Sequence, residues 1–270
     1  MAWAKGLFAL LCLIGAVLPQ PKAFANSDII LLTLEWPPYT GSALPDKGFV
    51  SKQIKRAYTS VHQNLQIGVF DWRQAVRLPY TDRRFAGTFP VYPSKERKKV
   101  CHLSDPIGVS EIGFAQRKQT VFNWRKVEDL TRYRIGVVDS YANEDTFDQL
   151  VQDKKIMTVI SHNDTDNLLN LLKKQADAIV IDAQVFKWLM QNDKRLKPYR
   201  NQLKMNERLL VTWPLHVCFR KDAEGAKQRD LLNSGLMKQH DFGMMHSITP
   251  PRPPAQRQIP KTQNTRREAA

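Results

Sequence analysis

The sequence predicts an α/β protein of two lobes, each a mainly parallel sheet flanked by helices. Short apolar runs of strand length alternate with stretches whose apolar residues recur at helical spacing, which is the pattern of β-α units. The alternation comes in two blocks, the second beginning near Val127. The chain has 270 residues, which without the first 25 is enough for two modest domains or one large one, and contains no internal repeat.

The first block opens with "DIILLTL" (28–34), an apolar run of strand length, followed by the turn-rich "EWPPYTGSALPDKG". From Phe49, a helical stripe runs through Val50, Ile54, Ala57, Tyr58 and Val61. "LQIGVF" (65–70) reads as a strand, and "DWRQAVRL" (71–78) as a short helix that Asp71 is placed to cap. "FAGTFPV" (85–91) is a third strand, residues 94–99 favour helix, and "EIGFAQRK" (111–118) is extended.

In the second block "YRIGVVD" (133–139) is a strand and "NEDTFDQLV" (143–151) a helix. "IMTVIS" (156–161) is a strand, and 163–175 a helix with Asn163 or Asp164 as its cap. "DAIVID" (177–182) is a buried strand that leads into a helix at 183–191. After Leu209-Leu210-Val211 come "PLHVCFRKD" (214–222) and a last helix to about His240.

Both ends of the chain differ in character. Lys5, an apolar stretch at 6–18 and Ala23-Phe24-Ala25 form the pattern of a secretory signal peptide, so residues 1–25 are expected to be cleaved and the mature, periplasmic chain to begin at Asn26. The apolar stretch is shorter than the ~20 residues a spanning helix needs. Leu11, before Cys12, lacks the small side chain that a lipidation site requires. The tail "TPPRPPAQRQIPKTQNTRREAA" is proline-rich and basic, and residues 250–270 are expected to be disordered because they carry too little apolar surface to fold.

The formal net charge is +15, part of it in that tail. A secreted chain rarely meets intracellular nucleic acid, so the charge is a poor argument for that function and points rather to anionic solutes or an acidic membrane surface. The mature chain keeps Cys101 and Cys218, which an oxidising compartment allows to bridge; two buried thiols are the plain alternative. There is no CxxC, HExxH or GxGxxG, and His240 and His246 lack i,i+4 spacing. Neither a metal nor another cofactor is expected.

Several segments, in order, carry a resemblance: "EWPPYTG" with "KGFVSKQIKRAY", "FPVYPSKERKKVCHLSDPI", "RIGVVDSYANEDTFD", "ADAIVIDAQVF" and "VCFRKD". Together the chain resembles the extracellular solute-binding proteins of family 3, the polar amino acid type of periplasmic binding protein, over roughly residues 28–245. The resemblance implies the type II periplasmic-binding fold, with two lobes joined by two crossing hinge strands. The first lobe would hold residues 26–115 and 212–249, the second 116–211.

It also implies roles for particular residues. In "YPSKERKKV" (92–100), Arg97 would turn into the cleft and grip a ligand carboxylate with its planar fork, while Lys95, Lys98 and Lys99 stay on solvated helix surface. A surface arginine is the plain alternative. Asp182 ends an apolar strand, where ligands of open α/β sheets sit, and would accept from a ligand ammonium; it also stands where a helix N-cap belongs. Trp36 and Tyr39 would form an aromatic lid, or simply pack beside Pro37 and Pro38, and Trp72 would line the cleft.

The sequence departs from the family where small hydroxyl residues would donate to a carboxylate. Phe89-Pro90-Val91-Tyr92 stand there instead, and Pro90 has no N–H. Ser140-Tyr141 replaces a Gly-Thr or Gly-Ser. The pocket is therefore expected to be aromatic and poor in donors, with Tyr92 and Tyr141 among its lining.

Three functions compete. One is a monomeric, non-catalytic periplasmic solute-binding protein serving an ABC permease. The second is a stand-alone sensor docking on a membrane partner, which the basic tail favours. The third is an enzyme like the cyclohexadienyl dehydratases, with Glu144 as the cleft acid; a first-turn glutamate favoured by the helix dipole is the plain reading of that residue.

Overall fold

The computed structural model describes residues 28–241; the expected leader and basic tail lie outside them. The first block folds as β1 (Ile29–Thr33), α1 (Phe49–Ser60), β2 (Leu65–Val69), α2 (Trp72–Thr81), β3 (Gly87–Val91) and α3 (Lys95–Val100). Next come β4 (Cys101–Leu103) and the long β5 (Gly108–Arg117). The second block is β6 (Arg134–Val138), α4 (Asp145–Gln152), β7 (Met157–Ser161), α5 (Asp164–Leu172), β8 (Ala178–Asp182) and α6 (Ala183–Asn192). The chain returns through β9 (Leu203–Arg220) and ends in α7 (Ala223–Asp241).

Local chemistry explains where the helices begin. The carboxylate of Asp71 accepts from the Arg73 N–H, and the Ser94 hydroxyl from the Arg97 N–H. Glu144, Asn163 and Asp182 do the same for α4, α5 and α6. Each cap satisfies a backbone donor that the first turn of a helix leaves unpaired.

Among the described residues the strands form one hydrogen-bonded path, β2-β1-β3-β9-β5-β8-β6-β7, with β4 added on β9. The trios β2-β1-β3 and β8-β6-β7 are each parallel, and β5 and β9 join them in antiparallel pairing. β5 and β9 are thus the two strands that cross between the lobes. They pair from Gly108 opposite Leu215 to Arg117 opposite Leu203. Every residue of β8 is buried, as expected for a parallel strand covered on both faces. Pro90 sits inside β3 where the register against β9 shifts between Thr88 and Val91, so its missing N–H falls at an irregularity of the ladder.

Two features were not legible in the sequence. The sequence marks no element at β4, and Leu209-Leu210-Val211 and 214–222, which stand apart in the sequence, belong to β9, one strand of 18 residues. Its middle, from Glu207 to Leu209, is exposed, and there both the apolar pattern and the register against β5 lapse, between Gly113 opposite Leu209 and Ala115 opposite Met205.

A main core runs from Leu31, Ile54 and Tyr58 to Leu168, Ile179 and Val185, and a second, around Phe114, Phe122 and Phe147, fills the other face of the β6-β8 trio. Gly235 of α7 lies against the Ala57 carbonyl of α1, where a methyl group would not fit. Among the described residues no helix is long and apolar enough to cross a membrane.

Candidate functional site

A cavity of about 250 Å³ opens beyond the carboxyl ends of the parallel strands. The segments that line it follow β1 (Trp36), β3 (Tyr92 to Arg97), β6 (Ser140 to Asn143), β7 (Asp164) and β8 (Asp182). Ligands of open α/β sheets sit at this end because the connections there diverge and leave a crevice.

Arg97 enters the cavity from α3. Its Nη1 donates to the Tyr92 carbonyl at 3.2 Å, and its guanidinium carbon lies 5.9 Å from the centre of the Trp72 ring. No carboxylate pairs with it among the described residues. Burial pushes its pKa below the ordinary arginine value, although arginine stays charged at any relevant pH. A half-buried cation without a counter-ion is costly to keep, and an incoming anion relieves that cost. Lys95, Lys98 and Lys99, its neighbours in sequence, are exposed.

Asp182 sits at the opposite end of a buried relay. Its Oδ1 accepts from the backbone N–H groups of Gln184 (2.8 Å) and Val185 (3.0 Å). Its Oδ2 accepts from the hydroxyls of Tyr39 (2.8 Å) and Ser110 (2.6 Å). Because Ser110 gives its proton to Asp182, the Tyr92 hydroxyl, 3.0 Å away, must donate to Ser110. Burial raises the Asp182 pKa, and these donors oppose the rise.

Asp164, the first residue of α5, is half-buried and lines the same cavity. Burial, and secondly the charge of Asp182, push its pKa up to about 7, against the opposing pull of the Tyr141 hydroxyl. Tyr141 itself is 45% exposed, at the cavity mouth. The 140–143 segment is held from β9, where the Trp213 indole donates to the Asn143 carbonyl at 2.7 Å.

Of the residues expected at the site, Trp36, Trp72, Tyr92, Arg97, Tyr141 and Asp182 all line the cavity. Tyr39 does not. It is 1% exposed and stacks behind Trp36 with ring centres 4.2 Å apart, so of the two adjacent aromatics Trp36 alone faces the cavity. Glu144 is absent from the lining as well: its carboxylate caps α4 through the Phe147 N–H at 2.8 Å. Asp182 is indeed an N-cap, and its acceptor sites are already taken. In the sequence Asp164 offers only a helix cap: it stands beyond the end of β7, whereas Asp182 is the last residue of β8. Cys101 and Cys218 are joined by a disulfide across the β4–β9 pair, with Cα atoms 5.5 Å apart.

No protein-family model and no curated protein matches the chain. Solved structures do. A histidine kinase sensor domain with similarity to periplasmic binding proteins superposes with a TM-score of 0.64 at 13% identity, over 80% of this chain and 91% of that one. The amino acid ABC transporter substrate-binding protein AbpA from Streptococcus pneumoniae, bound to L-arginine, gives 0.63 at 15% identity over 83% and 92%. The arginine-bound form of truncated ArgBP from T. maritima gives 0.59 at 22% identity over 77% and 95%. At these identities the likeness is one of fold: the chain has the two-lobed architecture of the type II periplasmic binding proteins, with β5 and β9 as its crossing strands.

Proposed function

We propose that this protein is a non-catalytic solute-binding protein of the family 3 type, which closes its lobes on a small carboxylate-bearing solute in the periplasm. The observation that carries the reading is Arg97: a half-buried guanidinium, without a carboxylate partner among the described residues, lining an aromatic-walled cavity at the strand ends. Trp36, Trp72 and Tyr92 supply apolar walls, and the guanidinium fork supplies bidentate recognition of a carboxylate. In this reading the lobes comprise residues 26–115 with 212–249, and 116–211. Closure is a ligand-biased hinge motion about β5 and β9.

Delivery to an ABC permease fits the resemblance to AbpA. Sensing through a membrane partner is a second reading, favoured by the basic, proline-rich sequence after Thr249 and by the likeness to a kinase sensor domain. Permease and ATPase genes beside this one would favour transport, and their absence sensing.

The test of the binding reading is a thermal-shift screen of amino acids, organic acids and short peptides, with each hit titrated into wild-type protein and Arg97→Ala. Carboxylates are expected to stabilise the wild type and to lose most of that effect in the variant. A hit that binds both proteins equally would refute the Arg97 clamp.

A further inference from the structure

The cavity holds two carboxyl groups, and they differ in what they have left to offer. Asp182 accepts two backbone N–H groups on one oxygen and two hydroxyls on the other. A carboxylate has about four acceptor sites, so Asp182 is saturated within the fold. A ligand ammonium could reach it only by displacing Tyr39, Ser110 or the first turn of α6. Asp164 stands differently. The Tyr141 hydroxyl interacts with it, and no backbone N–H reaches its side chain among the described residues. It lines the same cavity as Arg97, the cation without a counter-ion.

We infer that Asp164, not Asp182, receives the cationic group of the solute, while Asp182 serves as an internal latch between the β1 loop, β5 and α6. The inference rests on the solute-binding reading above and adds to it that the solute carries an amine beside its carboxylate. Arg97 and Asp164 then divide the two charges of a zwitterion, and the rings of Trp36, Tyr92 and Tyr141 surround a partly desolvated cation that their π-faces also favour.

The arrangement couples binding to protons. Several charged or titratable groups face Asp164: Asp182 from β8, Tyr141 from the loop after β6, Tyr92 from the end of β3, and Arg97 across the cavity from α3. The N-terminus of its own helix favours the carboxylate, but burial and Asp182 outweigh it and hold the pKa at about 7. Near and below neutral pH much of the free protein carries Asp164 as the neutral acid. When an ammonium binds, the O–H proton leaves to solvent and the carboxylate pairs with the ligand, so affinity for an amine rises with pH through about 7.

The experiment is calorimetric titration of the full chain with L-amino acids as probes, each beside the carboxylic acid that lacks its 2-amino group. Wild type, Asp164→Asn and Arg97→Ala are compared at pH 6 and pH 8. For the tightest amino acid, Asp164→Asn is expected to lose at least tenfold in affinity at pH 8, and its deamino counterpart to change by less than about twofold. Wild-type affinity for the amino acid should rise several-fold from pH 6 to pH 8, with proton release detectable as buffer-dependent heat.

Equal affinity of wild type and Asp164→Asn for the amino acid, with Arg97→Ala still impaired, would overturn the Asp164 assignment and leave the carboxylate clamp standing. Wild type that binds deamino acids but not amino acids would have the same meaning. Failure of every probe would overturn both readings. If Asp164→Asn does not fold, a pH-independent wild-type affinity for the amino acid still refutes the assignment.

Discussion

The Tyr39 hydroxyl donates to Asp182 Oδ2 at 2.8 Å, across 143 residues of sequence. The bond ties the loop after β1, in one parallel trio, to the N-cap of α6, which follows the other. Asp182 is buried, so each donor it loses leaves a charge less satisfied. A hydrogen bond to a charged group contributes about 1.5–3 kcal/mol. Tyr39→Phe, which keeps the stack on Trp36, is expected to lower the melting temperature by roughly 3–10 °C. A melting curve that superposes on the wild type would mean that the bond does not hold the two segments together.

Arg97 and Lys98 are neighbours in a basic helix but differ in surroundings. Arg97 is half-buried in the cavity wall, and Lys98 is exposed. Arg97→Ala is expected to weaken binding of a carboxylate ligand roughly 10- to 100-fold. Lys98→Ala should change it by less than about twofold at moderate salt, since exposed charges are screened. Equal losses in a calorimetric titration would point to a diffuse basic surface in place of a clamp.

The disulfide spans 117 residues and pins β4, and with it the end of α3, to β9. On the chain-entropy account a loop of that size is worth on the order of 5 kcal/mol. Reductant, or Cys101→Ser with Cys218→Ser, should therefore lower the melting temperature by roughly 10 °C or more. Since the Cys101 N–H also caps α3 through the Arg97 carbonyl, ligand affinity should fall with it. A reduced protein as stable as the oxidised one would show that the cross-link is not needed for the fold.

Asp164 also makes a prediction that needs no ligand. Its pKa is raised in the folded protein to about 7, above the ordinary 3.8, so the unfolded chain gives up this proton first. Its burial is therefore harmless below about pH 4, costs increasingly more stability as pH rises towards 7, and levels off above that. Asp164→Asn removes this cost. Its melting temperature, relative to wild type, should climb between pH 4 and pH 7 and then stay level. A difference that is flat over that range would place Asp164 in ordinary solvent contact.

The order of strands and helices was legible because each of its signals is local. The apolar stripe of α1 from Val50 to Tyr58 and the caps Asp71 and Asn163 depend on residues within a turn or two of one another. Local chemistry marks only a basic helix after β3; it was the resemblance that singled out Arg97 within it. Which of Trp36 and Tyr39 faces the cavity was hidden, because either ring can take either side of the stack until Asp182 comes within reach of the Tyr39 hydroxyl. The continuity of β9 was equally hidden, since Glu207 and Arg208 break its apolar pattern and sit at a register shift, while the pairing with β5 on either side makes it one crossing strand. Asp182 was visible from its strand end, yet two of its four donors come from residues 72 and 143 positions away. Asp164 looked like one more helix-start acid, and only its burial, with the charge of Asp182 nearby, raised its pKa. The sequence by itself determined the elements and the strand ends at which a site can form. The tertiary structure alone decided which polar groups there are already spent on each other, because desolvation and hydrogen-bond saturation arise only when distant segments meet.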